Sequence, residues 1–148
     1  MSFRYQEVSD VSSFNDVMSR GFISPRVHGV LDYPLAAVLI AGPLVLSFDD
    51  HAATVIALVF GGGAAVLAIG TAWSTGIVRV IPPLLHGYAD VAVTVAMIVL
   101  PFAVGFSGDT TALLFYLIVG GGGLLATLAT RFPAGLAPTR ASMLREAA

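Results

Sequence analysis

Polar and apolar positions along this 148-residue chain fall into blocks rather than alternating. Four blocks stay apolar over roughly 25–48, 51–75, 83–106 and 110–131, each long enough for a bilayer core, which takes about 20 residues of helix. The second, AATVIALVFGGGAAVLAIGTAW, and the fourth, TTALLFYLIVGGGGLLATLAT, carry no charge. The first and third are apolar apart from a His/Asp pair near the start of each and Arg26 at the entry to the first. Spanning strands would alternate with a period of two, and these runs do not. The pattern predicts an all-α integral membrane four-helix bundle.

Prolines and caps punctuate the blocks. Ser24-Pro25 reads as a helix start, with serine as N-cap and proline at the first helical position, where its missing N–H costs nothing. Pro83 plays the same part for the third block, with Pro82 before it. Pro34 removes the hydrogen bond to the carbonyl of Val30 and predicts a bend beside the first His/Asp pair. Pro43 and Pro101 free the carbonyls of Leu39 and Met97, which in lipid need a partner. Ahead of the first block, SDVSSFNDVMSRGF puts Val11, Phe14 and Met18 on one side, as in a short helix lying at a membrane interface. No function attaches to the tail, APTRASMLREAA.

Composition turns the apolar blocks into a membrane argument. The chain is 57% hydrophobic and 11% charged, with a mean hydropathy of +0.90, whereas a soluble domain has about a quarter of its residues charged. Its outer surface must face a lipid bilayer. A net charge of −2 gives no basic face for nucleic acid. The absence of cysteine excludes disulfides, zinc–thiolate sites and iron–sulfur clusters. The first 22 residues lack the basic start and apolar core of a cleavable signal peptide, so the first helix is expected to act as its own insertion signal.

All seven basic residues are arginines: Arg4, Arg20 and Arg26 before helix 1, Arg79 between helices 2 and 3, and Arg131, Arg140 and Arg145 at the end. The other two connections, SFDDHAAT and GFSGDTTA, have none. The positive-inside rule then predicts cytoplasmic termini and outward-facing acidic turns, as expected of a multi-pass protein of a bacterial inner membrane. Tyr33, Tyr88, Trp73 and Phe132 fall near the cytoplasmic helix ends, where an aromatic belt would sit.

Aligning residue n with n + 58 pairs Ile23 with Ile81, Pro25 with Pro83, His28 with His86, Gly29 with Gly87, Asp32 with Asp90, Ile40 with Ile98, Pro43 with Pro101 and Phe48 with Phe106, 8 identities across 26 positions. One inserted residue later, Gly61 pairs with Gly120, Thr71 with Thr130, Trp73 with Phe132 and Gly76 with Gly135. The chain reads as two tandem two-helix repeats, 23–76 and 77–135, between an N-terminal segment of residues 1–22 and a tail of residues 136–148. Each repeat crosses the membrane twice, so both share one orientation.

AGPLVLSF (41–48) and VLPFAVGFS (99–107) each place Pro-x-x-x-Gly/Ser-Phe at the outer end of the first helix of a repeat. This resembles the SPW-repeat membrane proteins, small bacterial proteins whose two-helix unit carries Ser-Pro-Trp in its first helix. The likeness spans about residues 23–135. Gly42 and Leu100 stand at the serine position, and Leu44 and Phe102 at the tryptophan position. The resemblance implies an architecture, not an activity.

The glycine runs FGGGAA (60–65) and VGGGGLLAT (119–127) lie in mid-helix. Small residues there let membrane helices approach closely, and Gly61 with Ala65 and Gly122 with Ala126 form small-xxx-small pairs. The Gly-rich faces of helices 2 and 4 are also candidate contacts for a homo-oligomer. Packing is favoured over a phosphate loop, since no lysine lies nearby and no strand precedes.

Candidate chemistry rests on the doubled His-x3-Asp. Residues four apart share a helical face, so His28 and Asp32 on helix 1, and His86 and Asp90 on helix 3, converge if the two helices face each other. Three readings stay open. The pairs satisfy each other and fix helix packing, leaving a scaffold or partner subunit. They bind a divalent transition metal, zinc, iron or manganese, through two imidazoles and two carboxylates. Or they form a proton relay or small-ligand pocket open to the cytoplasm, with Tyr33 and Tyr88 lining it, for a quinone head group for example. Haem ligation by the two histidines is a further variant. His51, beside Asp49 and Asp50, reads as the solvated start of helix 2. No catalytic motif is present: there is no Gly-x-Ser-x-Gly, no Walker sequence and no His-Glu-x-x-His.

Overall fold

The computed structural model describes residues 20–132. The expected interfacial helix around Val11, Phe14 and Met18 and the tail of residues 136–148 lie outside that range. Four helices follow in order: α1 (Pro25–Val45), α2 (His51–Gly70), α3 (Pro83–Val104) and α4 (Thr110–Leu128). They contain 21, 20, 22 and 19 residues, and all four are long and apolar enough to cross a membrane. At 1.5 Å per residue each spans about 30 Å, the thickness of a hydrocarbon core.

The helix starts follow from local chemistry. Ser24 Oγ accepts from Val27 N–H (3.3 Å) and Pro25 opens α1. Asp50 Oδ1 accepts from Ala53 N–H (3.0 Å) at α2, and Asp109 Oδ1 accepts from Ala112 N–H (3.0 Å) at α4. The start of α3 has no side-chain cap; Pro82 precedes it and Pro83 opens it. α1 runs without interruption through Pro34 and Pro43. α3 ends at Gly105, whose φ of 95° is the left-handed conformation glycine supplies without steric cost.

The helices pack in pairs, α1 with α2 and α3 with α4. At the end bearing the 46–50 and 105–109 turns, Leu39, Met97, Phe106, Phe115 and Tyr116 form the apolar core with Ala53, Ala57 and Ala112. Tyr116, fully buried, donates its hydroxyl to the carbonyl of Ala53 (2.6 Å), a bond that joins α4 to α2 and offsets the desolvation of both groups.

Close helix approach uses some glycines and not others. A Cβ on Gly61 would meet Ile40 Cγ1 at 2.6 Å, and one on Gly120 would meet Met97 Cβ at 2.9 Å, so these two seat α2 on α1 and α4 on α3. Gly122, expected from its spacing to pack, has open space instead: an added Cβ would meet nothing within 4 Å. Two steps along a helix turn a side chain through about 200°, so Gly120 and Gly122 point to opposite sides.

At the other end, two backbone straps close the bundle. Ile23 N–H donates to Ala129 O (2.9 Å) and Arg131 N–H donates to Ile23 O (2.9 Å), drawing the approach to α1 against the end of α4. Ala72 N–H donates to Ile81 O (2.8 Å) and Ile81 N–H donates to Gly70 O (2.9 Å), drawing the approach to α3 against the end of α2. Thr130 and Thr71 are thereby held beside the first turns of α1 and α3.

Candidate metal centre

His28 and Asp32 project from the first two turns of α1, and His86 and Asp90 from the matching turns of α3. All four meet. One donor atom from each can be chosen so that the four lie within 4.8 Å of one another. His28 Nε2 stands 3.0 Å from Asp90 Oδ2 and 3.4 Å from Asp32 Oδ1, while His86 Nε2 stands 3.1 Å from Asp90 Oδ2 and 3.4 Å from Asp32 Oδ2. His28, Asp32 and His86 are buried and Asp90 is half-buried.

The other ring nitrogens are anchored across the hairpins. His28 Nδ1 lies 2.9 Å from Thr130 Oγ1, and His86 Nδ1 lies 2.7 Å from Thr71 Oγ1. Each threonine hydroxyl already donates to the carbonyl four residues back, Thr130 to Ala126 O (2.7 Å) and Thr71 to Leu67 O (2.6 Å). A hydroxyl has one proton, so each threonine must accept from the imidazole. This puts a proton on both Nδ1 atoms and turns both Nε2 atoms toward the carboxylates.

Aromatic rings pack on the imidazoles. Trp73 sits with its ring centroid 4.5 Å from that of His86 and 5.6 Å from that of His28, and Phe132 lies 5.4 Å from His28. Trp73 and Phe132 are buried, which corrects their expected place in an interfacial belt. Gly29 makes room for this cover: a Cβ there would collide with Thr75 Oγ1 and press on the Trp73 indole.

Among the described residues, two quartet atoms, Asp32 Oδ2 and His86 Nε2, are buried with no hydrogen-bond partner. His86 Nε2 is close to Asp90 Oδ2 but outside hydrogen-bond alignment, whereas His28 Nε2 makes a proper bond to the same oxygen. Unpaired buried atoms of this kind cost about 1–3 kcal/mol each, and more when charged. Pairing alone leaves two buried atoms among the six Nε2 and carboxylate oxygen atoms without an aligned partner, and these two face each other at 3.4 Å.

The family model for the SPW repeat domain matches residues 26–130. The chain belongs to this family. No curated protein and no solved structure matches it. In this SPW repeat protein the quartet falls wholly inside the matched region, as do its threonine anchors and Trp73.

Of the residues singled out by sequence, His28, Asp32, His86 and Asp90 come together. Tyr33 does not join them; its hydroxyl donates to the carbonyl of Thr75 (2.9 Å). Tyr88 is half-buried, and neither tyrosine is among the residues lining the cavity that reaches the quartet. His51 is exposed as the first residue of α2. Sequence reasoning missed Thr71, Thr130 and the covering role of Trp73. The repeat alignment had already paired Thr71 with Thr130 and Trp73 with Phe132, the signal that could have found them.

Proposed function

We propose that this is a bacterial inner-membrane binding protein whose quartet, His28, Asp32, His86 and Asp90, holds one divalent transition-metal ion. The carrying observation is the orphaned Asp32 Oδ2 and His86 Nε2 inside a four-donor cluster. The donor set fits. Ligands about 2.0–2.1 Å from a tetrahedral ion are roughly 3.3–3.4 Å apart. The His–Asp separations, which use both oxygens of Asp32, are 3.0–3.4 Å, and one donor per residue gives a set within 4.8 Å that would draw in around an ion. The Nδ1–H to threonine bonds are the outer-shell contacts that fix the tautomer of a metal-binding histidine. Two imidazoles with two carboxylates suit zinc, iron(II) or manganese.

Charge balance supports the same reading. A carboxylate within the span costs about 2.5–3.5 kcal/mol on insertion scales, so two ask for two positive charges. One dication meets that demand, and so do two protons on the imidazoles. Proton carriage is the second reading, favoured by the 3.0 Å His28–Asp90 bond, in which Nε2–H donates while Nδ1–H is already committed.

The arginine distribution supports cytoplasmic termini, which puts the quartet near the cytoplasmic face. Duplication of a two-helix unit is supported by matched contacts: the Ile23–Thr130 and Ile81–Thr71 bridges and the crossed His–Thr pairs fall on positions that the repeat alignment equates.

Elemental analysis of protein purified without chelator tests the proposal. The expected result is near-stoichiometric metal, lost when Asp32→Asn and Asp90→Asn are combined. Metal-free protein that keeps its fold would favour a packing role. Flux of protons into liposomes, abolished by the same double variant, would favour proton carriage.

A further inference from the structure

The quartet forms one end of a larger feature. A cavity of about 460 Å³ lies among all four helices, with His28, Asp32, Asp90 and Thr94 at its polar end and Leu39, Met97 and Val119 farther along. Small-molecule sites occupy about 300–1,000 Å³, so the space is large enough for a ligand. Leu31 and Val59 belong to its lining yet are 48% and 64% exposed, so the cavity opens sideways onto the surrounding lipid.

Glycine hollows it out. Gly63 and Gly122 line the cavity, and a Cβ added at either would meet nothing within 4 Å. Close approach of the helices is served by Gly61 and Gly120 on the opposite sides, which leaves these two without a packing duty.

The polar end has a one-sided chemistry. Thr94 donates its hydroxyl proton to Asp90 O (2.7 Å), His28 directs its two ring nitrogens at Thr130 and Asp90, and the carboxylates accept. Among the described residues, no lysine or arginine lines the cavity. An anionic head group would face two carboxylates, whereas a hydroxyl or an amine would find acceptors.

We propose that this cavity binds an apolar chain with a hydrogen-bond-donating head, a long-chain alcohol or amine, its head at Asp90 and its tail toward Leu39, Met97 and Val119. This goes beyond the ion site, because protons or a dication at the quartet both leave carboxylate oxygens able to accept.

Diazirine-bearing dodecylamine, dodecan-1-ol and dodecanoic acid, each offered to the full chain in phosphatidylcholine nanodiscs, test it, with crosslinks mapped by peptide mass spectrometry. The amine and the alcohol should label residues 59–67 and 119–127, and the acid about tenfold less. Gly63→Leu with Gly122→Leu should cut that labelling by about tenfold while metal content stays unchanged. Asp90→Asn, which leaves the cavity its size, should reduce labelling by the amine more than by the alcohol. Equal labelling by all three probes would overturn the proposal, as would labelling unaffected by the leucines or crosslinks that join two chains through α2 and α4.

Discussion

The two ends of the bundle use the same residue types for different work. At the short-turn end, Asp50 and Asp109 cap α2 and α4, and Asp109 Oδ2 also accepts from the backbone N–H groups of Asp49 (2.8 Å) and Asp50 (3.1 Å), tying one turn to the other. These carboxylates lie outside the helices, and backbone donors use up their acceptor capacity. At the quartet end, Asp32 and Asp90 lie two turns inside their helices, where backbone N–H groups are committed to the ladder. Only side chains can answer them there, and the imidazoles answer incompletely. Depth along the helix, rather than residue type, separates a structural acid from a candidate ligand.

Histidine gives the sharpest way to break that contrast. His86→Leu strands two carboxylates and should cost about 3–5 kcal/mol, the usual result of removing one partner from a buried ionic cluster. Unfolding of purified protein in mixed detergent micelles would read it, and a loss below about 1 kcal/mol would mean the quartet carries little charge. Next in size is the outer shell. Thr71→Val or Thr130→Val keeps side-chain volume but removes the acceptor for one Nδ1–H, and each should weaken metal binding about 10–100-fold in competition with a chelator. Unchanged affinity would remove the threonines from the site.

Asp109→Ala should cost about 1–2 kcal/mol through loss of an N-cap. Desolvation by itself would raise the Asp109 carboxyl, but the N–H groups of Ala112, Asp50, Asp49 and Thr111 outweigh it and hold the group below its ordinary value of 3.8. A depressed folded value means the contribution is fully present above that ordinary value and disappears as pH falls through the lower one. Wild-type stability should therefore drop in that acid window relative to Asp109→Ala, and parallel pH profiles would contradict the cap. The smallest effect is expected at His51, exposed at the start of α2: His51→Leu should change stability by less than about 0.5 kcal/mol and leave metal content intact.

How much the sequence revealed follows from how local each cause is. Spans and caps were legible because lipid demands unbroken apolar helix, and because Ser24, Asp50 and Asp109 act within three residues of their own position. The four ligand candidates were legible because repetition exposed them: His28 and His86 occupy one register. Their Thr130 and Thr71 anchors were not, since each bond crosses from one hairpin to the other, 102 residues apart for His28 and Thr130. Trp73 resembled an interfacial aromatic for the same reason. Only the fold of the 71–82 connection brings it onto the imidazoles. The glycine runs hid two roles under one composition, because facing direction changes by about 100° per residue and a run carries no mark of which face meets a neighbour.

Metal loading also sharpens the charge argument. If two protons neutralise the ion-free quartet, one dication should displace about two of them, measurable as acid released in weakly buffered solution. X-ray absorption at the edge of the bound metal reads directly whether the quartet holds it. The expected spectrum shows a four-coordinate shell of two imidazole nitrogens and two carboxylate oxygens at about 2.0–2.2 Å. A spectrum of six oxygen neighbours without imidazole scattering would place the ion elsewhere and contradict it.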